Sequence, residues 1–179
     1  MSSSDFSRRG FLRLSLAGAA ALPLGACLRP LYGPTASGKS LPAELAAIEI
    51  VRVKTKINQE YTGHALRQEL MFQLDGSGTP SPKRYRLAID LSQSVLTQIV
   101  NAATGRADSA TIFADADYTL RTIDGDREIA SGKASGSAVY DRSIQRFASV
   151  RAARDAETRV GKLLAEQIRT RLALALATS

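Results

Sequence analysis

The sequence predicts an α+β fold: a two-layer sandwich with two helices packed on one face of a four-stranded mixed sheet, in the order β-α-β-β-β-α. Two long stretches after Arg84 place apolar residues at every second position, the pattern of strands with one dry face. Leu66, Leu70 and Leu74 instead recur at i, i+4 and i+8, and a second helical stripe runs through the last thirty residues. Strands with one polar face bury only the other, so two helices covering one side of the sheet is the economical packing.

The elements follow in chain order. Residues 28–42 hold Pro30, Gly33, Pro34, Gly38 and Pro42 with serines between, which reads as a tether with little capacity for regular structure. Ile48-Glu49-Ile50-Val51-Arg52-Val53 is β-branched and alternating, a first strand. Gln59 to Leu74 reads as a helix, with Met71 beside the leucine face, and the Gly/Ser/Pro run from Asp75 to Pro82 ends it. Tyr85, Leu87, Ile89, Leu91, Val95 and Ile99 share one parity of the second strand. Ile112, Ala114, Ala116, Tyr118 and Leu120 share one face of the third, and Asp124-Gly125 marks a tight hairpin. The fourth strand, about Glu128 to Tyr140, carries small residues on one face; these suit either a close-packed helix or a twisted edge. The final helix, roughly Phe147 to Ala177, has its stripe at Ala153, Ala156, Val160, Leu163, Leu164, Ile168 and Leu172, with a mixed-charge solvated face opposite.

The start of the chain carries an address. Arg8, Arg9 and Arg13 precede an apolar run from Leu14 to Leu24, and Gly25-Ala26 leads to Cys27, the single cysteine. A basic segment, an apolar segment and small residues in that order form an export leader. The apolar run is about half the roughly twenty residues that a membrane-crossing helix needs. The cysteine after the small residues makes the leader resemble a bacterial lipoprotein signal, in which Cys27 is acylated and becomes the mature N-terminus. Arg8-Arg9-Gly10-Phe11-Leu12-Arg13 is similar to the twin-arginine export motif, and the general export route stays open beside it. The organisation is therefore a leader over 1–26, the lipidated Cys27 and tether over 27–46, and one α+β domain over 47–177.

Removing residues 1–26 from 179 leaves 153, enough for one domain with a real core. The leader holds three arginines and Asp5, so the mature part carries 21 basic against 16 acidic residues. A basic exported domain suits anionic surfaces, and export makes nucleic acid an unexpected partner. With one cysteine no intramolecular disulfide forms. The anchor is then the lipid on Cys27, and several acyl chains at about 0.8 kcal/mol per buried methylene hold where one does not.

Catalytic chemistry is sparsely provided. His64 is the single histidine and reads as partly buried and structural, since no cysteine or second histidine completes a zinc set. Asp115 with Asp117, and Asp124 with Asp126, read as a solvated strand face and turn formers rather than acid–base or cation pairs. The sequence contains neither a G-x-S-x-G elbow nor an H-E-x-x-H pair. No catalytic residue, metal site or cofactor other than the covalent lipid is expected, nor is an enzyme.

Cys27-Leu28-Arg29-Pro30-Leu31-Tyr32-Gly33 resembles the lipopolysaccharide-assembly lipoprotein family, LptE, in its alphaproteobacterial form. Asp117-Tyr118-Thr119-Leu120 and the passage from Tyr140-Asp141 through Phe147-Ala148 to Asp155-Ala156 add to the resemblance, which spans residues 27–175. Leu28 stands where family members often carry glycine, a departure with no bearing on acylation. The resemblance implies an outer-membrane lipoprotein on the periplasmic face, plugging an LptD-like β-barrel and helping insert lipopolysaccharide. The absence of aspartate after Cys27 agrees with passage to the outer membrane. An auxiliary lipoprotein of a lipid-transport ABC system is the alternative.

If the first helix is a crossover, strands one and two run parallel. Lys54 and Lys56, Arg106 of the first hairpin, and Arg142 and Arg146 then gather at one pole, opposite the tether. Such a cluster would pair with the phosphates of lipopolysaccharide. Ordinary loop charges neutralised by Glu60, Asp108 and Asp141 are the other reading.

Overall fold

The computed structural model describes residues 38, 40–76, 81–98 and 108–178. Its sheet has the order β1-β2-β3-β4, formed by β1 (Ile48–Thr55), β2 (Tyr85–Gln98), β3 (Ser109–Thr122) and β4 (Glu128–Asp141). Strands β1 and β2 are parallel; β2 with β3, and β3 with β4, are antiparallel. The helices among the described residues are α1 (Leu41–Ala46), α2 (Glu60–Asp75) and α3 (Arg146–Thr178). The architecture is the expected α+β sandwich with a mixed sheet, extended by one short helix.

That helix corrects the tether. Residues 41–46 fall in the segment read as its end, yet they form α1 and bury Leu41 and Leu45. Pro42 lies in the first turn, where proline is tolerated because its missing N–H has no intrahelical partner. The i, i+4 leucines turn one side of that turn toward the core.

On α2, Leu66, Leu70 and Leu74 are all buried, while Met71 is half-exposed. On β3 the expected alternation is complete, with Ile112, Ala114, Ala116, Tyr118 and Leu120 buried. On β2 it breaks: Leu87, Ile89 and Leu91 are buried, but Val95 is 52% exposed and Ile99 lies outside the described residues. The stripe of α3 holds at Ala156, Val160, Leu164, Ile168 and Leu172, whereas Leu163 faces outward at 42% exposure. In the turn between β3 and β4 the left-handed residue is Asp126 (φ 49°), not Gly125.

The helices meet at Gly161, where a Cβ would lie 3.0 Å from the Leu66 backbone nitrogen and 3.1 Å from the Ala65 Cβ. At Gly136 of β4 a Cβ would find only ordinary contact with Leu163 and Leu164, at 3.6 Å or more. The close approach is therefore helix to helix. β4 is also the sheet edge, so its small residues serve an edge strand with a helix laid over it.

The strands differ in length, and that positions everything else. β1 has eight residues and β2, β3 and β4 have fourteen each. The last residue of β1, Thr55, pairs with Leu91, leaving β2 to run on for about 23 Å at about 3.3 Å per residue. The half of the sheet near α1 has four strands beneath α2 and α3. Among the described residues the far half has three strands, and α3 alone starts from that end.

Candidate interaction surface

The near half is closed by a polar lock. The Glu44 carboxylate, almost fully buried, accepts a hydrogen bond from the Tyr85 hydroxyl at 2.8 Å and pairs with Arg84 at 2.6 Å. Burial of the Tyr85 phenol, then its bond to Glu44, raises its pKa above the usual tyrosine value. Lys83 donates to the Ala46 carbonyl and to Asp75, both at 2.7 Å, tying α1 to the end of α2.

The edges of the sheet are also covered in part. Gln59, just before α2, donates to the Gln93 carbonyl at 2.8 Å and accepts from the Gln93 N–H at 3.1 Å. Its side chain thus stands in for the next residue of β1. Along β4, Gln167 bonds both the N–H and the carbonyl of Ser135, Arg159 donates to the Val139 carbonyl at 2.9 Å, and Arg171 donates to the Lys133 carbonyl. An unpaired strand edge is a template for another strand, and these side chains occupy it. Sequence reasoning placed this side of α3 in solvent; periodicity shows that a residue is off the core stripe, not what it touches there.

The expected cationic pole divides in two. Lys54 pairs with Asp90 in register, and its row continues through Asp117 to Lys133. Arg142 lies nine residues beyond Lys133, about 30 Å along the strands at about 3.3 Å per residue. Lys54 and Lys56 therefore stand near mid-sheet, with the Lys54 ammonium 3.8 Å from the Asp90 carboxylate, while Arg142 and Arg146 mark the far end. The expectation assumed strands ending at one level, and the short β1 removes that. Arg106, Cys27, Arg8 and Arg9 lie outside the described residues.

His64 is exposed, not partly buried. It lines a shallow groove between α2 and α3 with Tyr61, Gln68, Phe72, Thr158 and Lys162. Beside that groove Arg154 stacks 4.4 Å from the Tyr61 ring centre and pairs with Glu157 at 3.1 Å, clasping the two helices. Asp115 lies 3.9 Å from Lys133 across the outer face, and Asp126 bonds Arg121 at 3.0 Å. Among the described residues no three His, Cys, Asp or Glu side chains converge as a metal site, and no helix is long and apolar enough to cross a membrane.

The residues that sequence reasoning missed are apolar ones at the far end. On the outer sheet face Leu96, Phe113 and Val139 are 44–55% exposed, and Leu96 and Val139 both pair with Thr111. Beyond β4, Ile144 and Phe147 are 83% and 77% exposed. Their signal in the sequence is apolar residues on the polar parity of strands and before the stripe of α3.

No protein-family model matches this chain, and no curated protein is detectably similar to it in sequence. By structure it is similar to a candidate lipoprotein of Caulobacter crescentus CB15, at 24% identity and a TM-score of 0.61 over 76% of this chain and 95% of that one. Rare lipoprotein B of Shewanella oneidensis aligns at 12% identity and TM-score 0.45, over 70% of this chain and 98% of its own. A minor lipoprotein of Acinetobacter baumannii aligns at 10% and 0.39, over 73% and 89%. The first likeness establishes a shared fold; the other two are too distant to carry an argument.

Proposed function

We propose that this chain is a non-catalytic lipoprotein of the outer membrane, held on the periplasmic face by acyl chains on Cys27, which plugs an LptD-like β-barrel and assists lipopolysaccharide insertion. The observation that carries the reading is the coincidence of a lipoprotein leader ending at Cys27 with a fold shared by a candidate lipoprotein. The outer sheet face adds support: Asp90, Asp115, Asp117 and Lys133 make its middle polar over a self-sufficient core, as the interior of a barrel requires. Lys54 and Lys56 on one side, and Arg142 and Arg146 at the far end, are then two separate places for phosphate contacts rather than one.

A pull-down of the tagged mature protein in mild detergent tests the assignment. A stoichiometric β-barrel companion is expected, and a permease–ATPase assembly in its place would overturn the reading. Affinity for purified lipopolysaccharide should fall on Arg142→Ala with Arg146→Ala; unchanged affinity removes that pair from the contact.

A further inference from the structure

We infer that the far end of the molecule is an amphipathic tip that enters the headgroup layer of an anionic phospholipid surface. The inference goes beyond the assembly role above and requires no barrel partner. Three facts converge on it.

The first is where the exposed apolar side chains lie. Leu96, Phe113 and Val139 sit on the outer face of the last rungs of the sheet. Ile144, Phe147 and Val150 belong to the connection after β4 and to the first turns of α3, which lies over the inner face. A soluble surface scatters such residues singly, whereas these cluster at one end.

The second is that they occupy both faces. Arg159 of α3 bonds Val139 of β4, and Phe147 precedes Arg159 by twelve residues, about 18 Å of helix at about 1.5 Å per residue. β4 continues only two residues past Val139, about 7 Å at about 3.3 Å per residue. The start of α3 thus overruns the sheet. A protein partner docking flat would cover one face, whereas an end that is apolar on both faces suits immersion.

The third is charge. Arg142, Arg146 and Arg151 are exposed at this end, and the first turn of α3 carries no acidic residue. No described residue forms an ion pair with any of the three, although Asp141 adjoins Arg142 in sequence and the Asp108 carbonyl accepts from the Arg142 N–H at 2.8 Å. The one ring contact is Arg151 over Phe147 at 5.9 Å. Free arginines around exposed apolar side chains match anionic headgroups above acyl chains.

The sequence contains no tryptophan, so Phe147→Trp places a single indole at the tip. Phe72→Trp, at a 73% exposed site on α2, is the control. The full chain is reconstituted into vesicles of phosphatidylethanolamine with phosphatidylglycerol, and separately of phosphatidylcholine. In the anionic vesicles the Phe147→Trp emission should shift to the blue and be quenched by lipids brominated in their acyl chains. Both signals should be lost in phosphatidylcholine, in high salt, and on replacing Arg142, Arg146 and Arg151 together with alanine. The Phe72→Trp emission should remain that of an indole in water. A water-like Phe147→Trp in anionic vesicles, equal responses from the two tryptophans, or a response that survives the triple replacement would each overturn the inference. So would a shift that needs lipopolysaccharide, a barrel protein or self-association instead of phospholipid. Loss of the barrel companion in the pull-down would leave these optical results unchanged, so the two readings fail separately.

Discussion

The near and far halves of this sheet are built from strands of the same alternating kind, yet they end in opposite surfaces. In the near half Leu66, Leu70 and Leu74 of α2 and Ile168, Leu172 and Leu176 of α3 close over Leu87, Ile89 and Leu120, and α1 seals the end with Leu41 and Leu45. In the far half the inner face mixes small residues (Ala110, Ala114, Gly136 and Ala138) with the buried Ile112 and the partly buried Tyr140, and apolar side chains of similar size to those buried elsewhere stay exposed. Both halves have backbone pairing from β2 to β4; only the near half has the fourth strand and the second helix. The large buried side chains therefore concentrate in the near half, and exposed apolar ones gather in the far half.

This contrast can be broken most directly in the leucine cluster. Leu70→Ala should lower unfolding free energy by about 2–5 kcal/mol, read from the urea midpoint, because a fully buried side chain leaves a cavity between α2 and the sheet. A loss below that range would mean that the near half is not the stable one.

Glu44→Ala should cost less, about 1–3 kcal/mol, by leaving the partly buried Tyr85 hydroxyl without its acceptor and Arg84 half-exposed without its partner. The same lock has a pH signature. The Tyr85 pKa is higher folded than unfolded, so folding stability holds below about pH 10 and declines as pH rises past the ordinary tyrosine value. Urea midpoints taken between pH 8 and 11 should show that decline, and Tyr85→Phe should flatten it.

Two glycines sharpen the comparison further. Gly161→Ala forces apart two packed helices and should cost about 1–3 kcal/mol. Gly136→Ala places its Cβ at ordinary contact distance in a strand, where losing glycine's freedom should be neutral or mildly stabilising. Equal losses in thermal unfolding would show that α3 presses as closely on β4 as on α2.

The smallest effect belongs to the tip. Ile144→Ser and Phe147→Ser should leave the unfolding midpoint within about 0.5 kcal/mol of the parent, since both side chains are already in water. A substantial loss would place them in the core and end the contrast between the halves.

Much of the fold was legible. Leu66, Leu70 and Leu74 announced α2, and the parity of Ile112 to Leu120 announced the buried face of β3, because period and burial are both consequences of one dry side. Three things were not. The turn of α1 is six residues long, too short for a period to emerge beside Pro42. Val95 continues the buried parity of β2 and is nevertheless half-exposed, since parity says which face a residue is on and not whether anything lies over it. The cations were assigned to one pole because Lys54 and Arg142 both follow strands, and a sequence does not carry the register between strands.

Local chemistry is thus the part that the chain spells out for itself. The two strand-and-helix periods and the order β-α-β-β-β-α follow from which residues are apolar and at what spacing. Tertiary structure alone decided that Thr55 stops opposite Leu91, that Gln59 and Arg159 cap open edges, and that Leu96, Phe113 and Val139 at one end of the sheet are exposed. The reason is physical: spacing along a chain sets the direction of a side chain, whereas its partner depends on where a distant segment ends.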